Sequence, residues 1–247
     1  MRALSAALGA AALLTWTGPT AAGDRNALWN VVSEGCVAST VSAGIPFPCV
    51  SVDLDIGYAI LRPRTAHFLL VPTVPLAGIE APELTTSDLP NYWDLAWRAR
   101  SSLSEVLGVE LPRDAVALAI NSARHRSQDQ LHIHLGCVRA DVRADLQIYE
   151  KDIGDTFSRL PFAVIGQRYW IMKVRDSHLE RTSPFQLMSV QVSDARERAE
   201  EFTIVVAGAH FRTGEEGFYV LVGRSDVNGT NGEGLLDFDC RVSSARG

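Results

Sequence analysis

Lysine is almost missing from this 247-residue chain: of 23 Lys and Arg residues, only Lys151 and Lys173 are lysines. Acidic residues outnumber the basic ones, giving a net charge of −6 and a sequence pI near 5.5. Nucleic-acid surfaces carry basic patches, so no nucleic-acid partner is expected. No two cysteines stand in CxxC spacing, which weakens any zinc reading. Beyond the first 22 residues, no segment reads as membrane-spanning. No internal repeat or low-complexity linker divides the chain, so residues 23–247 read as one domain. Strands and helices mix without βαβ regularity, which favours an α+β fold over a doubly wound sheet. The cations that are present are mostly arginines, whose planar guanidinium suits bidentate contacts to phosphate.

The N-terminus reads as an export leader. Arg2 is followed by an apolar run to Trp16, and Pro19 to Ala22 form a small-residue segment before Gly23. The run falls short of the roughly 20 residues that span a bilayer, so a cleaved signal over 1–22 is favoured over an uncleaved anchor. Export places Cys36, Cys49, Cys137 and Cys240 in an oxidising compartment, where an even set pairs. Of the three pairings, Cys36–Cys49 closes a short loop and leaves Cys137–Cys240, which would tie the chain's C-terminal end to its middle.

Hydrophobic periodicity sets the remaining expectations. A short helix is read over 26–36, with Leu28, Val31 and Val32 on one side. Strands are read over 58–61 and 67–71, joined through Arg62, Pro63, Arg64 and Thr65. An irregular loop follows over 79–89. A long helix is read over 89–107, capped by Asp88 or Ser87, with Pro90 in its first turn and Trp93, Ala96, Trp97, Leu103 and Leu107 facing the core. Further strands are read over 115–120, 130–135, 169–174, 202–207 and 218–222. Helices are read over 140–149 and 194–201, and a glycine-rich loop over 228–234.

The segment from Gln128 to Cys137 carries the chemistry. In a strand, alternate side chains share a face, which groups His132 and His134 with Gln128 and Gln130 and leaves Leu131, Ile133 and Leu135 to pack. The preceding connection supplies Asn121, Ser122, Arg126 and Ser127. A neutral imidazole attacks phosphorus well and leaves readily from a phosphoramidate, while amides, hydroxyls and arginine hold the nonbridging oxygens. Two competing readings stay open on these residues. The histidines are inert strand residues, or they are two ligands of a zinc or copper ion completed by His67, His125, His178 or His210.

The string from Ala119 to Ser122, then Arg126 to Gln128, His132, His134 and Cys137, resembles the CDP-diacylglycerol pyrophosphatase family of the histidine-triad superfamily. The strand-then-proline segment from Ala66 to Pro72 is similar as well. The likeness runs from about residue 28 to 184 and weakens beyond. It implies an antiparallel histidine-triad-like sheet with a long packed helix and a C-terminal α/β extension. It also implies hydrolysis of CDP-diacylglycerol to CMP and phosphatidate, with no cofactor and no metal. His134 matches the nucleophile, which would carry the cytidylyl group. His132 matches the residue that orients it or helps bind phosphate, and Gln128 matches a phosphate-contacting glutamine. Asn121, Ser122, Arg126 and Ser127 lie on the phosphate-binding loop. Gly136 stands where a third histidine would be. A phosphatidate leaving group, with a second pKa near 6 by analogy with phosphoserine, departs without a strong acid, so that histidine can be dispensable.

The expected location is the periplasm or the periplasmic face of the inner membrane, with the membrane surface as a partner and residues 74–84 as a segment able to meet acyl chains through Leu76, Ile79 and Leu84. The alternatives are a broader nucleoside diphosphate-X hydrolase, a cytidylyltransferase, or a secreted metal- or lipid-binding protein without catalysis.

Overall fold

Ten stretches rich in aliphatic and β-branched residues pair into one antiparallel sheet in the computed structural model, which describes residues 23–86, 88–159, 162–225, 229 and 231–241. The leader read over 1–22 lies outside the described residues. The chain opens with α1 (Ala27–Asn30) and α2 (Ala38–Ala43), joined by a π-helical stretch (Val31–Val37). Strands β1 (Ser51–Asp53), β2 (Tyr58–Arg64) and β3 (His67–Pro72) follow. Then come α3 (Glu83–Thr86), α4 (Tyr92–Arg98) and α5 (Ser101–Leu107). Strands β4 (Val116–Ile120) and β5 (Ile133–Val138) flank the histidine segment and lead to α6 (Ala140–Ile148). The last third holds β6 (Ser158–Arg159), β7 (Tyr169–Val174), α7 (Pro184–Gln191), β8 (Phe202–His210), β9 (Glu216–Arg224) and β10 (Leu236–Asp237). Strand order is β1-β2-β3-β5-β4-β8-β9-β7-β6, and β10 pairs with Cys137 and Val138 at the far end of β5.

Both faces of the central strands are covered. On β4, Val116, Leu118 and Ile120 join a layer with Trp93, Trp97 and Leu103, while Ala117 and Ala119 join another with Val142 and Leu146 of α6. An antiparallel strand with one wet face alternates apolar and polar residues; burial on both sides explains why β4 is apolar throughout. A third cluster sets Leu69 and Val71 of β3 against Leu28, Val32 and the Cys36–Cys49 disulfide. His134 sits at the seam, in register with Leu69 of that cluster and Ala119 of the α6 layer. The pairing Cys137–Cys240 is also present.

Several expectations change. The long helix is two helices: around Ala99 and Arg100 the backbone switches to three-residue hydrogen bonds, and Arg100 folds back to donate to the Trp97 carbonyl. Its cap is Asn91, which accepts from the Trp93 N–H, with Pro90 before the helix; Ser87 lies outside the described residues. Val31 is 37% exposed, so Leu28 and Val32 alone face the interior. Leu76, Ile79 and Leu84 are buried in the main core and do not face outward. Residues 194–201 form turns, ending in a 3-10 turn, because only Ala195 buries there and no apolar stripe exists to hold a helix. The helix in that region is instead α7, started by Ser183 and Pro184. The expected C-terminal extension is present, its strands β7, β8 and β9 continuing the same sheet. Of the glycine-rich loop, residues 228 and 230 lie outside the described residues, and Glu233–Leu235 form a 3-10 turn leading into β10.

Candidate active site

The connection between β4 and β5 folds over the sheet and brings side chains from four chain regions to a cleft of about 260 Å³. Leu28, Arg64, His67, Asn121, His125, Arg126, Ser127, Gln128, His132, His134 and Glu233 line it. Its floor is three imidazoles. His134 Nδ1 lies 2.9 Å from His67 Nε2, and the two rings stack at 5.1 Å. His132 meets His134 edge-on at 4.9 Å, and its Nδ1 lies 2.7 Å from the Gln130 carbonyl. A carbonyl only accepts, so His132 Nδ1 carries the proton and its Nε2 presents a lone pair. Nε2 of His134 is buried and makes no hydrogen bond among the described residues.

Burial controls the protonation of all three rings. It holds His134 well below the usual imidazole range, with His132 and His67 adding to the effect. His67 is pushed down to about 4 by burial, then by Arg64 and His132. Burial also lowers His132, against the opposing Gln130 carbonyl. At neutral pH the three are uncharged. The single proton between His67 and His134 can then sit on His134 Nδ1 and point at His67, leaving a bare lone pair on His134 Nε2.

The loop residues divide into those that face the cleft with free groups and those already engaged. Gln128 accepts from the Leu28 N–H and donates to the Asp24 carbonyl, clamping α1 against the histidines. Asn121 holds Glu233: its Nδ2 donates to Glu233 Oε2 at 3.0 Å, and its Oδ1 accepts from the Glu233 N–H at 3.1 Å. Arg126 lines the cleft, but Glu80 takes both terminal nitrogens at 2.6 and 2.7 Å and Asp129 takes its Nε at 3.0 Å. Ser127 is exposed at the rim. Ser122 is fully buried, donates to the Ser225 hydroxyl, and does not line the cleft. Gln130 shares parity with the histidines but precedes the strand; it bonds to the Pro72 and Val74 carbonyls and the Leu76 N–H instead.

Four contributors lie beyond the assigned set: Arg64 and Glu233 had no role from sequence, and His67 and His125 were read only as candidates to complete a metal site. His67 comes from β3, 67 positions before its partner His134. Arg64, exposed at the end of β2, makes no ion pair or side-chain hydrogen bond among the described residues. His125 faces the cleft with a buried Nε2 that is unpaired among the described residues. Glu233 reaches in from the C-terminal arm, its carboxylate 3.7 Å from His134 Nε2. Gly232 permits that approach, since a Cβ there would strike the Thr203 hydroxyl and the Ile120 carbonyl. The same arm explains Gly136: a Cβ there would lie 2.9 Å from the Phe238 ring, and Phe238 stacks on His67 at 3.7 Å. Phe238 and Leu236 from this arm thus fill the space that a side chain at position 136 would need. Among the described residues, no group of three or more His, Cys, Asp or Glu is set to hold a metal ion.

Comparison with known proteins agrees with this geometry. Residues 23–244 match the family described as CDP-diacylglycerol pyrophosphatase. The match continues through the C-terminal arm, where the resemblance read from sequence had faded. The chain is 32% identical to a Yersinia pestis protein named CDP-diacylglycerol pyrophosphatase over 224 residues, covering 89% of this chain and 85% of that one. With the family matched over almost its whole described length, the chain belongs to the CDP-diacylglycerol pyrophosphatase family.

Proposed function

We propose that this chain hydrolyses CDP-diacylglycerol to CMP and phosphatidate through a cytidylyl group carried on His134. Membership of the family supports the hydrolase activity on this anhydride. The observation that carries the mechanism is the state of His134: neutral, fixed through Nδ1, and bare at Nε2. In the first step Nε2 attacks the phosphorus next to cytidine, and the bond to the phosphatidate oxygen breaks with its electron pair leaving on that oxygen. Water then displaces the imidazole. Depressed basicity costs His134 some nucleophilic strength but makes it a better leaving group in this second step. Arg64 is the cation free to meet the diphosphate charge, because Arg126 is already neutralised by Glu80 and Asp129. His125 Nε2 and Ser127 stand beside it for nonbridging oxygens. Hydrolysis in ¹⁸O water should place the label in CMP, and His134→Ala should lose turnover. Label confined to phosphatidate, or an active His134→Ala protein, refutes the mechanism.

The lipid partner is a bilayer surface met through the N-terminal unit. Val41, Ile45, Phe47, Val50, Leu54 and Ile56 are all exposed within 16 residues. The Cys36–Cys49 bridge fixes this unit next to Leu28 at the cleft. Scattered surface apolar residues need no explanation, but a concentration beside a lipid-handling cleft does. Two disulfides fit an oxidising compartment, which supports a periplasmic location or one on the periplasmic face of a membrane.

A further inference from the structure

We propose that Glu233 is the general base that turns the cytidylyl-histidine over to water. The inference rests on the covalent reading of His134 and goes beyond it by assigning the second step. Displacements at phosphorus run in line. The departing phosphatidate oxygen and the later water therefore use the same position, opposite His134 Nε2. Glu233 lies 3.7 Å from that nitrogen and supplies the carboxylate among the cleft-lining residues. Three other cleft groups are engaged: His67 with His134, Asn121 with Glu233 itself, and Arg126 with two carboxylates, while His125 and Ser127 are assigned above to the nonbridging oxygens. His132 has a free Nε2 lone pair, but its burial weakens it as a base.

The arrangement fits the missing third histidine. An anhydride leaving group needs no proton, so nothing in the first step requires an acid at this position. The second step does require a base, because neutral water is a poor nucleophile. In that step the water oxygen bonds to phosphorus, its proton passes to the Glu233 carboxylate, and the phosphorus–nitrogen bond breaks with its electron pair returning to His134 Nε2. CMP leaves and the carboxyl proton is lost to solvent.

Rapid-quench kinetics on Glu233→Gln test this. The amide oxygen can still accept from Asn121 Nδ2, so the arm keeps its anchor. The expected result is a phosphatidate burst near one per active site, a trapped cytidylyl adduct on His134, and steady turnover slowed about 100-fold. Fluoride attacks without a base, so it should restore release as cytidine fluorophosphate, and Glu233→Asp should recover part of the water reaction. Wild-type turnover in Glu233→Gln overturns the assignment. So does a slowed burst with no adduct, which would place Glu233 in the first step. Absence of any adduct, together with an active His134→Ala protein, overturns the covalent reading instead.

Discussion

At the scale of the residue, His67 governs what His134 can do. It pins Nδ1 of its neighbour, and its own imidazole is pushed down to about 4, so it stays neutral and accepts. Replacing it with alanine should free the His134 ring and lower kcat about 100-fold with a smaller effect on KM, measured in a steady-state assay. The same shift has a stability signature. Unfolded His67 titrates near 6.5, and folded His67 near 4. Between these values the unfolded chain binds more protons, so stability is full above about 6.5 and declines as pH falls toward 4. Thermal melts across that window should therefore fall less steeply for His67→Gln than for the native chain; parallel profiles would count against it. Much of the residue-level site was legible: alternation alone set His132 beside His134. What it could not reveal is which neighbouring strand supplies a partner. His67 and Glu233 lie 67 and 99 positions from His134 in sequence, a separation that no local pattern spans. Gln130 was misplaced because strand parity was extended three residues before the strand begins.

At the scale of the element, the arm from Glu233 to Cys240 does most to complete the cleft. It delivers Glu233 and Phe238 and is fastened by β10 pairing and by Cys137–Cys240, a bridge across 103 positions. Loops of about 100 residues closed by a disulfide gain up to about 4.7 kcal/mol in the chain-entropy picture. The Cys137→Ser, Cys240→Ser double variant should melt several degrees lower. It should also lose at least tenfold in turnover, as positioning losses at an active site commonly do, while keeping its β-rich circular dichroism. Unchanged activity would show that the arm holds its place without the bridge. Both cysteine pairs were readable from export and loop length, whereas the helix boundaries were not. The charged stretch 194–201 has helical composition but buries only Ala195, so packing denies it a helix. The Ser183–Pro184 start of α7 was a readable signal that went unused.

At the scale of the whole molecule, charge and exposed apolar surface set how the enzyme meets its substrate. A net charge of −6 gives no long-range attraction to an anionic membrane, so the proposed docking would rest on short-range burial of apolar side chains. Phe47 and Val41, 73% and 70% exposed, are the most exposed apolar side chains of the N-terminal unit. Serine at both positions should weaken sedimentation with phosphatidylethanolamine–phosphatidylglycerol vesicles and slow turnover of the lipid substrate in bilayers. Turnover of a water-soluble CDP-alcohol should hardly change. Equal losses on both substrates would point to damaged folding rather than lost docking. No helix among the described residues is long and apolar enough to cross a membrane. The α+β class was legible from the mixture of periodicities; the single continuous sheet was not, because strands buried on both faces lose the alternation that would give their neighbours away.

The order in which the site is made has a temporal consequence. His67 and the His132–His134 pair are synthesised about 100 residues or more before Glu233, Phe238 and Cys240. The three imidazoles are therefore made before the residue proposed to activate water for them. On the proposed roles, full turnover then needs the arm from Glu233 to Cys240 in place and its thiol oxidised. Under the proposed mechanism, the enzyme would reach its full rate where disulfides form, which couples its activity to the oxidation state of its surroundings.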